Sequence, residues 1–470
     1  MSRQKVVLYN PEAVFHTMPL SLVAVGSSLD PERYDVRVID GRLEHDSVSR
    51  VVEECRDALC LGVSVLTGAP ITDALRISRA VKSVQPDLPV VWGGWHPSLF
   101  PLETLAEPAI DVTVQAQGEE TFRELVDCLS DGQDYSDLRG ISVRVDNKPR
   151  RNPPRPLQDM NLFPEYNYDL IPVQRYFDLK ADRQLDYISS TGCFFRCAFC
   201  ADPFVYNRRW VALSPERIGD ETERLWRHYR FTDLSFQDET FFTYPKHVAA
   251  IAEEFLRRGT DFTWTATLRA DQAQRLPDDL FELSVRSGMR RVMIGVESGS
   301  QEMLDWLTKD ITIEQVMQAA EKCVRFNIGA IFPFIVGFPG ETDESVRDSL
   351  AMIKRLRSMS PEFETPVFYF KPYPGSRITA DVVSNGYTLP STLEEWAEFD
   401  FIGSSGPWVT REKEELVERF KFYNRFAWGP ETWPRRALQK VARWRCSRDF
   451  YRFPIEKAIV DRVKPLPRLS

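Results

Sequence analysis

The sequence predicts an α/β protein in two βα-alternating segments, residues 1–145 and 181–400, with a helical accessory region at 401–470. Three observations predict it. Short apolar, β-branched runs alternate with helical patterns through both segments, which implies parallel sheets with helical crossovers. Between them, residues 146–180 carry Pro153, Pro154, Pro156, Pro164 and Pro172, which interrupt any helix or central strand, so this stretch reads as a linker. At 470 residues the chain is also too long for one ordinary core.

In the first segment, Val6-Val7-Leu8-Tyr9 and the runs 34–40, 58–65 and 88–94 read as strands, and 71–81 as a helix. Together they predict a doubly wound sheet, whose ligands bind beyond the carboxyl ends of the strands. In the second segment, strands are expected at 185–190, 233–236, 262–268, 291–296, 330–336 and 366–370, each followed by a helix or a glycine turn. Six parallel units that curl without closing form a partial barrel, with its chemistry at the C-terminal ends of the strands.

A hydrophobic content of 43% with 12% aromatics is that of a globular protein. No apolar run reaches membrane-spanning length. The first residues lead straight into a strand with no secretory segment, and eight cysteines form no disulfide framework, so a cytoplasmic, reducing setting is expected. A net charge of −9 argues against nucleic-acid binding through phosphates. The charge is uneven: from Arg435 to Ser470 eleven Lys/Arg face three acids, so this tail is +8 and the remainder −17. Trp444, Phe450, Tyr451 and Phe453 interleave with these cations. A solvated helical face is the ordinary outcome of such a pattern; peripheral contact with an anionic membrane is the alternative.

The most informative run is Thr191-Gly192-Cys193-Phe194-Phe195-Arg196-Cys197-Ala198-Phe199-Cys200. Three thiols spaced C-x3-C-x2-C can hold three irons of a [4Fe–4S] cluster, whereas clusters that only carry electrons have four cysteine ligands. The fourth iron is then open to an exchangeable ligand. A structural zinc site would need a fourth donor, and His228 and His247 stand at no zinc-site spacing. This loop closely resembles that of the radical S-adenosylmethionine (SAM) enzymes. The resemblance implies that the open iron holds SAM, that Phe199 lies over its adenine side, and that an electron donor such as flavodoxin or ferredoxin reduces the cluster.

Upstream, Ser64-Val65-Leu66 is followed, after 26 residues, by Gly93-Gly94, then by Trp95-His96-Pro97-Ser98 and Gly118-Glu119-Glu120-Thr121. Glycine lets a ligand approach the backbone, and a serine at a strand end can hydrogen-bond a buried polar tail. These segments resemble the Rossmann-like cobalamin-binding domain that precedes many radical SAM barrels of the TIM type. The resemblance implies that Ser64, Leu66, Gly93, Gly94, His96 and Glu119 surround cobalamin. Its usual Asp-x-His-x-x-Gly is missing: the corresponding loop reads Val14-Phe15-His16-Thr17-Met18-Pro19, which leaves His16 without an orienting carboxylate. Cys55, Cys60 and Cys128 read as small core residues.

In the barrel segment the resemblance implies roles at the SAM site for Asp238 and Glu239, in Phe236-Gln237-Asp238-Glu239-Thr240-Phe241, and for Glu297, in Ile294-Gly295-Val296-Glu297-Ser298-Gly299. Asp238 and Glu239 could instead cap a helix beginning near Tyr244. Arg269 could pair with the SAM carboxylate; Lys309 reads as a solvated lysine. The expected activity is cobalamin-dependent methylation of an unactivated carbon of a small molecule or lipid. Two alternatives stay open: non-methylating radical chemistry, such as oxidative cyclisation, ring contraction or rearrangement on a lipid or tetrapyrrole, and a non-catalytic cobalamin or cluster sensor.

Overall fold

The computed structural model describes residues 3–399, 406–428 and 436–463. The chain divides into two compact units: residues 1–194, 201–239 and 383–400 form the first, and residues 195–200, 240–382 and 401–470 the second.

The first unit holds a seven-stranded sheet made of β1 (Gln4–Asn10), β2 (Tyr34–Asp40), β3 (Ala58–Ser64), β4 (Val90–Gly93), β5 (Val112–Val114), β6 (Ile141–Val145) and β7 (Lys148–Arg151), in the order β2-β1-β3-β4-β5-β6-β7. The first five pair in parallel and the last two antiparallel. Val6, Val7, Leu8 and Tyr9 are all buried, as a strand covered on both faces requires. The 2-1-3-4-5 order reverses between β1 and β3, and a ligand crevice opens at such a switch point.

Three features differ from the sequence expectation. The sheet continues past residue 145, because Asp146 and Asn147 both take positive φ (50° and 62°) and turn β6 tightly into β7. A helix at Val173–Lys180 also occupies the expected linker. Residues 383–399 belong to the first unit: in the helix Leu393–Ala397, Glu394 pairs with Arg79 at 2.6 Å, and the Trp396 ring lies 4.4 Å from that of Phe100.

The first unit also contains β8 (Gln184–Tyr187) and, parallel to it, β11 (Asp233–Phe236); β9 (Ser190–Gly192) and β10 (Trp210–Ala212) form a small antiparallel pair. In the second unit, β12 (Thr263–Thr267), β13 (Met289–Met293), β14 (Gly329–Ile331) and β16 (Phe363–Glu364) run parallel in that order, and β15 (Phe334–Val336) pairs in parallel with β17 (Val367–Tyr369). Helices such as Pro245–Arg258 and Ile313–Arg325, the latter started by a Thr312–Gln315 capping box, separate most strands, whereas β14 passes to β15 and β16 to β17 without one.

The accessory region is helical at Arg411–Ala427, Arg436–Arg448 and Ile455–Val463. Arg445 is buried there: it pairs with Glu456 at 2.8 Å and donates to the carbonyls of Phe450, Arg452 and Phe453. Arg435 and residues 464–470 of the basic tail lie outside the described residues. No helix among the described residues is long and apolar enough to cross a membrane.

Candidate active site: a cysteine loop, a buried charge cluster and a small-residue slit

The cysteine loop begins where β9 pairs with β10. Gly192 must be glycine: φ is +90°, and a Cβ would lie 2.3 Å from the Arg209 carbonyl oxygen. Farther on, Ala198 N–H donates to the Leu307 carbonyl (2.8 Å), and its own carbonyl accepts from Ile378 N–H (3.1 Å). Cys200 N–H donates to the Cys197 carbonyl at 3.2 Å, and Arg196 forms a two-pronged pair with Asp310. Cys193, Cys197 and Cys200 are in no disulfide and half-buried, whereas Cys55 and Cys60 are fully buried core residues whose thiols burial pushes up to about 12.

Three half-buried thiols on one pinned loop are the right donor chemistry for a four-iron cluster. Each thiolate binds its own iron, so the sulfurs need not converge on one point. Among the described residues, no group of three or more His, Cys, Asp or Glu converges as a single-ion site.

Beside Cys197 lies a cluster of buried charges, all in the second unit. Arg269 donates from Nε to Asp271 (2.9 Å), from Nη2 to the Lys309 carbonyl (2.6 Å) and from Nη1 toward Cys197 Sγ (3.7 Å). Its guanidinium lies 3.7 Å from the centre of the Phe195 ring. Lys309 Nζ pairs with Glu297 Oε1 at 2.6 Å and stands 5.6 Å from the centre of the Phe199 ring. Both partners of this pair are buried. Burial alone would lower the lysine's pKa, but Glu297, followed by Cys197, outweighs it and the pKa is raised. Glu297 holds φ at +69°, a left-handed conformation that costs energy outside glycine.

Lys309 therefore corrects the solvated reading. No periodicity marks it, because it lies between Thr308 and Asp310, both at positive φ (50° and 55°), in a turn rather than a helix. Phe199 lies 6.3 Å, edge-on, from Phe338 of the Val336-Gly337-Phe338-Pro339-Gly340-Glu341 loop. Sequence reading passed over Glu341 there. Burial pushes its carboxyl up to about 7, and it accepts Gly337 N–H at 2.5 Å.

In the first unit, neither Asp238 nor Glu239 caps a helix; the next one starts at Pro245 with Tyr244 at its cap. Asp238 is turned inward. It accepts from Ser189 N–H (2.8 Å), Ser189 Oγ (2.6 Å) and Ser190 Oγ (2.6 Å), and so braces the strand end that leads into the cysteine loop. Burial pushes its pKa up to about 6 against these hydrogen bonds. Glu239 accepts Gly192 N–H at 3.1 Å, at the mouth of the loop, and burial, then Asp202, push its pKa upward.

The slit opens at the β1/β3 switch point of the same unit. The empty space in and just outside it is about 850 Å³, and Leu8, Leu20, Ser21, Ser64, Gly93, Gly94, Gly118 and Glu119 are among the residues that line it. Small residues hollow it out. Gly94 takes φ +92°, and a Cβ there would stand 3.0 Å from Val65 N and O; one on Gly62 would stand 2.8 Å from Leu8 Cδ2. Ser64 Oγ meets Ser21 Oγ at 2.8 Å. Burial raises the pKa of Glu119. A deep, mostly apolar slot with hydroxyls at its wall fits the nucleotide tail of cobalamin.

Two residues expected at cobalamin stand outside the lining of this slit. His96 is fully buried beside Phe100 and Trp396, with Nδ1 3.2 Å from Thr67 Oγ1, and burial pushes its pKa down to about 3. It is a neutral core residue outside the slit lining, because the helix Trp95–Leu99 turns it inward. Leu66 lies past the end of β3, 43% exposed, and also outside the lining. His16 is exposed on the loop before the helix Leu20–Ser27.

Comparison with known proteins agrees with both halves. Residues 5–126 match the B12 binding domain and residues 187–353 the radical SAM superfamily. An uncharacterized methyltransferase of Pyrococcus horikoshii is 31% identical over 388 residues, which cover 81% of this chain and 82% of that protein. The chain belongs to the cobalamin-binding radical SAM family. It is an enzyme, with a [4Fe–4S] cluster, SAM and cobalamin as cofactors. The anaerobic magnesium-protoporphyrin IX monomethyl ester cyclase of Synechocystis sp. is 25% identical over 73% of this chain and 69% of that protein. The fold matches the radical SAM methyltransferase TsrM of Kitasatospora setae, solved with cobalamin and a [4Fe–4S] cluster bound. The TM-score is 0.69 at 20% identity, covering 83% of this chain and 76% of that one. The partial-barrel and doubly wound expectations hold on this comparison, and the sensor alternative falls.

Proposed function

We infer that this enzyme methylates an unactivated carbon of a small molecule. The observation that carries this reading is the presence, in one chain, of an open-iron cysteine loop and a hollowed slit at the switch point of a doubly wound sheet. The likeness to the Pyrococcus horikoshii methyltransferase supports it. Bound cofactors would supply a hydrogen-abstracting 5'-deoxyadenosyl radical and a transferable methyl group.

The chain's own residues hold and orient. Cys193, Cys197 and Cys200 ligate the cluster, Phe199 covers the adenine side of SAM, and Glu239 and Glu297 stand as candidate partners for its polar groups. Ser64, Gly93, Gly94 and Glu119 form the cobalamin slot. Electrons come from a small donor protein such as flavodoxin or ferredoxin.

The test is anaerobic turnover with methyl-deuterated SAM on candidate substrates. A product heavier by one methylene unit and carrying the label supports methylation. A product without added carbon supports the second reading, oxidative cyclisation or rearrangement, which the cyclase relative favours.

The accessory region supports peripheral membrane contact. Trp444 and Phe453 are 52% and 75% exposed, next to exposed Ile455 and Ile459 and among the tail's cations. Cosedimentation with anionic vesicles, lost on Phe453→Asp, would support it; no binding would reject it.

A further inference from the structure

We propose that Arg269 is a positioning residue that raises the reduction potential of the cluster by donating a hydrogen bond to the sulfur of Cys197. This rests on the cluster assignment above and extends it.

The guanidinium is held in place before any cofactor arrives. Nε is fixed by Asp271 at 2.9 Å and Nη2 by the Lys309 carbonyl at 2.6 Å, while the Phe195 ring lies 3.7 Å from its central carbon. Those anchors leave Nη1 aimed at Cys197 Sγ, 3.7 Å away, within reach of the large sulfur atom. The Arg269 side chain is buried and its contact with the half-buried Cys197 is part-buried, so water screens it less than at the surface.

Overall charge does not carry the effect. Asp271 offsets Arg269 and Glu297 offsets Lys309, so the cluster of side chains is close to neutral. What remains is direction: an ionised N–H pointing at a thiolate. Adding an electron to the cluster makes its sulfurs more negative, and a charge-assisted donor favours that state. Hydrogen bonds to cluster sulfurs are among the determinants of iron–sulfur potentials. Arginine suits the position because its planar fork can serve Asp271, a carbonyl and a sulfur at once, which a lysine ammonium on its flexible stem cannot.

The alternative is that Arg269 holds the carboxylate of SAM, and one set of measurements separates the two. Full-length wild type, Arg269→Gln and Arg269→Lys are reconstituted anaerobically, and iron and sulfide contents confirm the cluster in each. Midpoint potentials are then read without SAM, by redox titration with the reduced cluster followed by electron paramagnetic resonance. The expected result is a more negative midpoint in R269Q, with at least a tenfold smaller reduced fraction at a fixed solution potential, or about 59 mV for one electron. R269K should shift in the same direction by less. Should R269Q fail to hold a cluster, R269K alone carries the test.

An unchanged midpoint in a variant with an intact cluster overturns the proposal, all the more if SAM binding weakens at the same time. A wild type without a cluster would instead sink the functional reading, and the iron content shows that before any potential is measured.

Discussion

The slit of the first unit and the charge cluster of the second make room for ligands in opposite ways. The slit is made by omission: Gly62, Gly94 and Gly118 stand where a Cβ would collide or crowd, and its polar walls are a few hydroxyls, the Gln117 amide and one carboxyl. The charge cluster is made by pairing. Arg269 with Asp271 and Lys309 with Glu297 bury four ionised groups without leaving one uncompensated. A bulky ligand tail calls for empty space. A charged cluster and a sulfonium call for charges already in place, because assembling them on binding would cost desolvation each time.

The sharpest way to break this contrast is Glu297→Ala. It leaves Lys309 buried and unpaired, and the expected loss is about 3–5 kcal/mol in chemical denaturation. The double variant Glu297→Ala/Lys309→Met should recover most of it; a single variant as stable as wild type would show that the pair is solvated. Next is Gly94→Ala, where the backbone (φ 92°, ψ −163°) lies in a region open almost only to glycine. About 1–3 kcal/mol of stability should be lost, and bound cobalamin, read by its visible absorption, should fall with it.

Asp238 gives a pH signature of order 1 kcal/mol per pH unit. Its pKa rises from 3.8 unfolded to about 6 folded, so between those values the native state holds a proton that the unfolded chain has lost. Stability should therefore be highest below the lower value and fall as pH rises through about 6. Asp238→Asn should flatten that part of the profile, read as unfolding midpoints from pH 4 to 7. The smallest effect is expected from Ser64→Ala, which removes the 2.8 Å hydroxyl contact with Ser21. A few-fold weaker cobalamin affinity with stability changed by about 1 kcal/mol or less is expected.

The chemistry legible from sequence was local. The cysteine spacing, Ser64 and Gly93-Gly94 each announce themselves within a few residues, and the alternation of strands and helices follows from periodicity. What sequence reading missed depended on distant partners or on turn geometry. Lys309 looked like any surface lysine until a pair of left-handed residues turned it onto Glu297. Asp238 has the residue type of a ligand, and nothing local announces that its oxygens also accept from Ser189 and Ser190, almost fifty positions earlier. His96 sat in a loop motif but was rotated into the core by a five-residue helix. The β6–β7 hairpin did leave a signal: Asp146-Asn147 between two extended runs suits a turn with positive φ at both central positions.

The most direct test asks whether the loop from Cys193 to Cys200 holds a cluster that cleaves SAM. Protein purified without oxygen and reconstituted with iron and sulfide is reduced with dithionite in the presence of SAM, and 5'-deoxyadenosine is quantified. The account predicts about four irons per chain and steady release of the nucleoside from wild type, with both lost in the triple variant Cys193→Ala/Cys197→Ala/Cys200→Ala. A wild type that binds no cluster, or binds one and leaves SAM intact under that reductant, would contradict it.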